Sequence, residues 1–358
     1  MSMTEAERRP PEGADRLVVT PESAMVGQPL RLAVIGTPRS GNTWVRGLFA
    51  SLFGLTELAV DRAGQLDWDR LPPRCILQIH QYPDPEFDAL IERHGFRVLT
   101  PARHPLDVMI SALNYAQHTQ AAPEWTDATG SARTLRGATP ISLEFRQYAG
   151  ISHPGAVLSF SPAWWGRPGV VQVRYEDLVA DPIATLARLA LQVDPRIVRP
   201  VEEAVGYFTI DARRSNLRVW QFHFGLGRPG IWRDLIPSEL ARSIADQQRP
   251  AFEVLGYSCD PDPTLDLLQA ERNWYRLQTL LLTRHLADER QRLHDARSQL
   301  QSLASQASAG PAIGPASPPP ERSVRPDAPR PRRASSWSRR LGRGVRQWWT
   351  GHRATAPR

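Results

Sequence analysis

RLAVIGTPRSGNTWVRGLFASLF, residues 31–53, is the stretch whose reading decides the fold. Leu32, Ala33, Val34 and Ile35 form a short apolar run of the kind a buried strand makes. Gly36 to Asn42 is turn-rich. From Thr43 onward the apolar residues fall at Trp44, Val45, Leu48, Phe49 and Leu52, which is helical spacing. Strand, glycine loop and helix in that order make a phosphate cradle, because backbone N–H groups converge in the loop and the positive end of the helix dipole faces the anion. The loop nearly fits the pattern G-x-x-x-x-G-K-[ST]. Gly36, Gly41 and Thr43 match, but Asn42 stands at the lysine position. In a nucleotide triphosphatase that lysine holds the β- and γ-phosphates, so its absence argues against ATP or GTP hydrolysis. A cation stands three residues earlier, at Arg39. The loop therefore suits a terminal 5′-phosphate with a different group attached. An ordinary tight turn is the competing reading until other segments agree.

The chain has 358 residues, room for one large domain with appendages. Two distant cysteines, Cys75 and Cys259, make no disulfide framework and suit a reducing compartment. The first residues contain no apolar core of a secretory signal, and no apolar run approaches the roughly 20 residues of a membrane span. A cytoplasmic protein is expected. The net charge of +7 is unevenly placed. All 44 basic residues are arginine, and residues 306–358 hold 11 of them against Glu321 and Asp327. The body is near neutral, which argues against a nucleic-acid-binding fold.

Residues 1–29 read as a flexible N-terminus. Further strands are expected at 75–79, 96–100 and 170–173, with helices at 86–94, from Pro105, at 182–193, 197–208 and 238–254. Thr56 to Pro73 reads as polar and irregular, and residues 118–140 as a loop. Strands alternating with helices imply an α/β fold, a parallel sheet flanked by helices, over 30–258. Ligands in such folds sit at the carboxyl ends of the strands, where Gly36–Thr43, His80 and Arg103 all fall. A long helix is expected over 262–305, starting at Asp262-Pro263. Leu286, Leu293 and Leu300 recur every seven residues beside Leu282 and Leu303, which suits a coiled coil and a homodimer. Packing of that helix on its own domain is an equal alternative.

With these pieces placed, the chain resembles the PAPS-dependent sulfotransferases, where PAPS is 3′-phosphoadenosine 5′-phosphosulfate. The family's 5′-phosphosulfate loop is similar to Thr37-Pro38-Arg39-Ser40-Gly41-Asn42-Thr43-Trp44. Its 3′-phosphate motif is similar to Arg103 through Ser111, and two further segments resemble Arg174–Leu178 and Gly227–Arg233. The resemblance implies a P-loop-like sulfotransferase domain that moves a sulfonyl group from PAPS to an acceptor hydroxyl or amine of a glycan, glycolipid or small metabolite, releasing PAP without a metal. It implies His80 as the base and Arg39 as a catalytic cation. It also implies Arg39, Ser40, Gly41, Asn42, Thr43, Trp44, Arg103, Ser111, Tyr175 and Arg228 as PAPS contacts. His104 is the fallback base, although His-Pro at a helix start is more often structural. The chain departs from the family at Gln78, where a lysine is usual, at Arg39, which replaces the loop lysine, and at Gly225, where a cation is expected. The alternatives are a P-loop kinase or NTPase, and a catalytically degenerate interaction protein.

Residues 306–358 read as a disordered tail rich in Arg and Pro. On a helical wheel Trp337, Leu341, Val345, Trp348 and Trp349 fall within about 120° of one another, opposite Arg339, Arg340, Arg343 and Arg346. Trp on one face and Arg on the other suits peripheral contact with the inner face of a membrane through 337–349. A tail that only solubilises is the equal alternative.

Overall fold

The computed structural model describes residues 16–25, 27–118, 134–154, 156–208 and 227–308. The chain divides into two units, Met1–Ser298 and Gln299–Arg358. The segment 337–349, most of the loop expected at 118–140 (residues 119–133) and Gly225 lie outside the described residues.

Seven strands and eleven α-helices are described: β1 Val18–Val19, β2 Leu30–Ile35, α1 Asn42–Phe53, β3 Thr56–Ala59, β4 Arg74–Ile79, α2 Pro85–Arg93, β5 Phe96–Ala102, α3 Pro105–His118, α4 Leu143–Ala149, α5 Phe160–Trp164, β6 Val171–Arg174, α6 Tyr175–Ala180, α7 Pro182–Val193, β7 Arg196–Ile197, α8 Val201–Tyr207, α9 Ser238–Gln247, α10 Arg249–Leu255 and α11 Leu267–Ser308. The main sheet has five strands in the order β3-β4-β2-β5-β6, all parallel. Successive residues of β2 bury opposite ways, as the pleat requires. Leu32 and Val34 join a core with α1 and α7, whereas Ala33 and Ile35 join one with α2 and β4. Burial on both faces explains why these strands read as unbroken apolar runs.

The four expected strands and the helix at 182–193 are present. Four local expectations are corrected. Thr56–Ala59 is an edge strand rather than irregular chain, and it carries little apolar pattern because most of its side chains face solvent. The helix expected from Ile197 starts at Val201, since Arg196–Ile197 pairs with β1 instead. The helix expected over 238–254 is two helices. The break falls at Gln248, whose buried amide donates to the carbonyls of Ala149 and Ile151, both at 2.7 Å. The long helix starts at Leu267, not at Asp262. Asp262 is spent on Thr264, and Asp266 provides the cap by accepting from Gln269 N at 2.7 Å.

Ala270, Trp274 and Leu281 of α11 are buried with residues of α3, α4 and α9 in a third core. Leu282, Leu286, Leu293, Leu300 and Leu303 are exposed. The first turns of α11 thus pack on the domain, whereas Leu282, Leu286 and Leu293 stay exposed. No helix among the described residues is long and apolar enough to cross a membrane.

Candidate active site

The loop after β2 is tightly built. A Cβ on Gly36 would lie 2.9 Å from the Pro101 carbonyl oxygen, so only glycine lets the loop lie against the end of β5. Gly41 has φ 99° and sits over Tyr175, where an added Cβ would meet Cδ2 at 2.9 Å. Arg39, at φ 71°, is the only non-glycine residue of positive φ among those described. Ser161 braces the loop from a distance. It accepts from Thr37 N at 2.7 Å, donates to the Pro101 carbonyl at 2.6 Å, and its own N–H donates to Thr37 Oγ1 at 3.0 Å. Gly41→Ala should therefore cost roughly 1–2 kcal/mol from backbone conformation alone, more once Tyr175 is displaced. The measurement is the unfolding midpoint in denaturant; an unchanged midpoint would mean the loop is not held against Tyr175.

Ser40 and Asn42 turn inward. Ser40 Oγ donates to the Thr37 carbonyl at 2.6 Å, and Asn42 Nδ2 donates to the same oxygen at 2.7 Å. The residue at the lysine position is thus a buried brace, and since the Ser40 N–H also returns to the Thr37 carbonyl at 3.2 Å, what the pair offers a ligand is the backbone N–H of Asn42. First-turn N–H groups have no intrahelical carbonyl. Those of Trp44 and Val45 return to the Gly41 carbonyl at 2.9 and 3.0 Å, which leaves the N–H groups of Asn42 and Thr43 at the loop mouth.

Beside the loop stand two guanidinium groups. Arg103 follows β5 and is buried, and its Nε and Nη2 have no hydrogen-bond partner among the described residues. Its guanidinium lies 4.6 Å from the centroid of the Tyr175 ring. Arg39 Nε donates to Ser111 Oγ at 3.2 Å, and its guanidinium lies 4.9 Å from the Tyr115 centroid. Burial pushes Arg39 down to about 10; the nearby Arg103 charge adds to this, and Tyr115 and Tyr175 oppose it. Two buried like charges repel, and anionic groups bound beside them relieve both. Ser111, on α3, thus meets Arg39 directly. Trp44 packs edge-on against Tyr175 with centroids 5.8 Å apart, and its buried Nε1 has no partner among the described residues. Tyr175 OH donates to the Gly227 carbonyl at 3.0 Å.

His80 follows β4. Its Nδ1 lies 2.8 Å from the Gly36 carbonyl oxygen. That oxygen only accepts, so Nδ1 carries the proton and Nε2 holds the lone pair of the neutral ring. Burial holds His80 below the ordinary histidine value, partly offset by the Gly36 bond and Asp61. His104 is placed otherwise. Its Nε2 donates to the Ser258 carbonyl at 3.0 Å, its Nδ1 accepts from Leu106 N at 3.3 Å, and its ring stacks on Trp232 at 4.9 Å. Both nitrogens are engaged in holding the fold.

The remaining motif residues hold elements together. Buried Asp107 accepts from Gly230 N at 2.7 Å and Trp232 N at 3.2 Å, fixing the 227–233 segment on α3. Glu176 accepts from His104 N at 2.9 Å and Tyr257 OH at 2.7 Å. Arg228 is exposed and ion-paired with Asp234. A cavity of about 300 Å³ beside this brace is lined by His104, Asp107, Glu176, Gly230, Tyr257 and Ser258, and by none of Arg39, His80, Arg103 or Ser111. The chemistry gathers at the loop, not in this cavity. Ser161, Arg46 and the bracing role of Asp107 and Glu176 were not foreseen. No sequence signal joins Thr37 to a serine 124 residues later.

The fold and this site define an α/β protein in which a strand, a glycine loop and a helix stand beside a second, buried cationic position. No protein-family profile and no curated protein sequence matches the chain. Among solved structures, it is similar to a mouse sulfotransferase complexed with PAP, at 15% identity and a TM-score of 0.47, over 64% of this chain and 89% of that one. It is also similar to retinol dehydratase with androsterone and the inactive cofactor PAP, at 15% identity and TM-score 0.43, over 64% and 82% of the two chains. A complex of retinol dehydratase with retinol and PAP matches at 16% identity and TM-score 0.42, over 68% and 85%.

Proposed function

We propose that this chain is a sulfotransferase that uses PAPS and an acceptor hydroxyl or amine. The observation that carries the reading is the buried Arg103, whose Nε and Nη2 have no partner among the described residues, beside a glycine loop that lacks the nucleotide-triphosphatase lysine. PAPS has phosphate at both ends of its adenosine, and this chain offers a separate cationic position for each. In this reading the N–H groups of Gly41, Asn42 and Thr43, with Arg39, take the 5′-phosphate. Arg103 takes the 3′-phosphate by charge-assisted bonds, with Ser111 beside it. Trp44 and Tyr175 flank the adenine, and Trp44 Nε1 gains an acceptor there.

PAPS supplies a sulfonyl group whose S–O bond to the 5′-phosphate breaks with its electron pair leaving on PAP. His80 Nε2 removes the acceptor's proton as the acceptor atom bonds to sulfur. Arg39 stays protonated at neutral pH and stabilises the charge that develops on the leaving phosphate. A P-loop kinase has less support, because Asn42 is turned into the loop where a lysine would reach outward.

The neutral imidazole is the active form, and His80 is held below the ordinary histidine value of 6.5. Turnover is therefore expected to be flat across neutral pH and to fall only in acid below that value, as protonation removes the base. A pH–rate profile already falling above 7 would point to another group. The reaction itself is tested by incubating the full chain with sulfur-labelled PAPS and a lysate of the source cell. Label appearing in a chromatographically distinct product, dependent on the protein, is expected; label remaining in PAPS would count against the reading.

A further inference from the structure

His80 has a charged neighbour that the reading above leaves unused. We propose that Asp61 is a positioning residue for the transfer: its carboxylate stands beside His80 and stabilises the imidazolium formed when His80 takes the acceptor's proton, and this rests on the sulfotransferase reading.

The sheet brings the two together. β3 and β4 are parallel neighbours, with Glu57 paired to Ile76 and Ala59 to Gln78. The ladder runs one residue beyond β3, because Val60 N donates to the Gln78 carbonyl at 3.0 Å. The next pair in this register that points the same way as Ala59 and Gln78 is Asp61 with His80. Helix α1 marks the face they share. Glu57 Oε2 meets Arg46 Nε at 2.9 Å, Gln78 Oε1 lies 3.3 Å from Thr43 Oγ1, and Arg46 and Thr43 are both on α1. Leu58 and Val60 go the other way, against the core that holds Trp68. Neighbouring strands lie about 4.8 Å apart, which sets the carboxylate and the imidazole side by side. The strand order β3-β4-β2 gives His80 two flanks. On one, its Nδ1 meets the Gly36 carbonyl after β2. Asp61, after β3, stands on the other.

Asp61 is held by its own turn. Gln65 Oε1 accepts from the N–H groups of Asp61 and Arg62 at 2.8 and 3.1 Å, and Trp68 Nε1 donates to the Ala63 carbonyl at 3.1 Å. Among the described residues the Asp61 carboxylate has no hydrogen bond or ion pair, so no described arginine takes up its charge. Two charges act on His80. Arg39 disfavours the imidazolium, together with burial, whereas Asp61 favours it, together with the Gly36 bond. Arg39 has to remain a cation for the leaving phosphate, and Asp61 offsets its effect at the base.

In the transfer, the acceptor atom bonds to sulfur, the S–O bond to phosphate breaks, and its electron pair leaves with PAP. The acceptor's proton passes to His80 Nε2, whose lone pair forms the new N–H bond, and is later lost to water. The ring is thus cationic only as the reaction proceeds, which is when a fixed carboxylate beside it contributes most. Asp61 itself gains and loses no proton.

The test reads the base directly. The full chain, carrying isotope-labelled histidine, is titrated by NMR, with the His80 signal identified by its absence from His80→Gln. Wild type, Asp61→Asn and Asp61→Glu are compared, together with PAP affinity and the pH profile of label transfer from PAPS to the lysate acceptor. Asp61→Asn is expected to move the His80 midpoint down by roughly half to one pH unit. The acid limb of transfer should move down with it, and transfer should slow by about two- to threefold as the base weakens. PAP affinity should match wild type, and Asp61→Glu, which keeps the charge, should restore most of both midpoint and rate. An unchanged His80 midpoint in Asp61→Asn, an equal shift in Asp61→Glu, or a moved midpoint with an unchanged rate overturns the proposal, while PAP binding and label transfer by wild type keep the sulfotransferase reading intact. Failure of wild type to bind PAP overturns both.

Discussion

Arg103→Met is expected to weaken PAP by at least about 30-fold, since one charge-assisted hydrogen bond contributes roughly 1.5–3 kcal/mol and arginine can grip phosphate through two. The same change should leave the ligand-free protein as stable as before or more so. Arg103 is 5% exposed, and its Nε and Nη2 have no partner among the described residues. Replacing a buried, poorly paired charge with an apolar side chain of similar length is often neutral or stabilising by about 1–4 kcal/mol. Lost binding with retained or raised thermal stability is what separates a ligand-binding arginine from one that holds the fold. Calorimetry with PAP and a melting curve without it check both halves. A destabilised variant that still binds PAP would assign Arg103 to the fold.

His80→Gln is expected to lower turnover by about 10²–10⁴, the range for loss of a general base, with PAP affinity within about twofold of wild type. Glutamine can still donate to the Gly36 carbonyl that His80 meets at 2.8 Å, so the loop should keep its shape. Steady-state rates and PAP binding on the same preparation are the check. Retained turnover would move the base elsewhere. His104 is a poor successor, because its two ring nitrogens are engaged by Ser258 and Leu106.

The fold was legible where burial leaves an unbroken mark. β2, β4 and β5 are covered on both faces, so most of their residues are apolar and the apolar ones run together. The edge strand β3 and the two-residue pair of β1 with β7 leave no such pattern. The break at Gln248 depends on carbonyls nearly a hundred residues away, which no local signal announces. In the site, the positions of His80 and Arg103 at strand ends follow from the sheet alone. The direction of side chains does not. Asn42 occupies the position a ligand-binding lysine would take, yet turns inward to Thr37. Arg39 crosses to Ser111, 72 residues on, and so joins two motifs that the sequence reads separately. Arg228, a cation by position, is spent on Asp234.

The glycine loop and the buried Arg103 together make one claim: the ligand is a nucleotide with phosphate at both ends of its adenosine. Thermal shift of the full chain with PAP, set against ATP with Mg²⁺ at the same concentration, tests this most directly. PAP is expected to raise the midpoint, with about 2.7 kcal/mol of stabilisation when it is present at 100 times its Kd, and ATP with Mg²⁺ is expected to have little effect. A shift with ATP and Mg²⁺ as large as that with PAP, or no shift with PAP, would contradict the account.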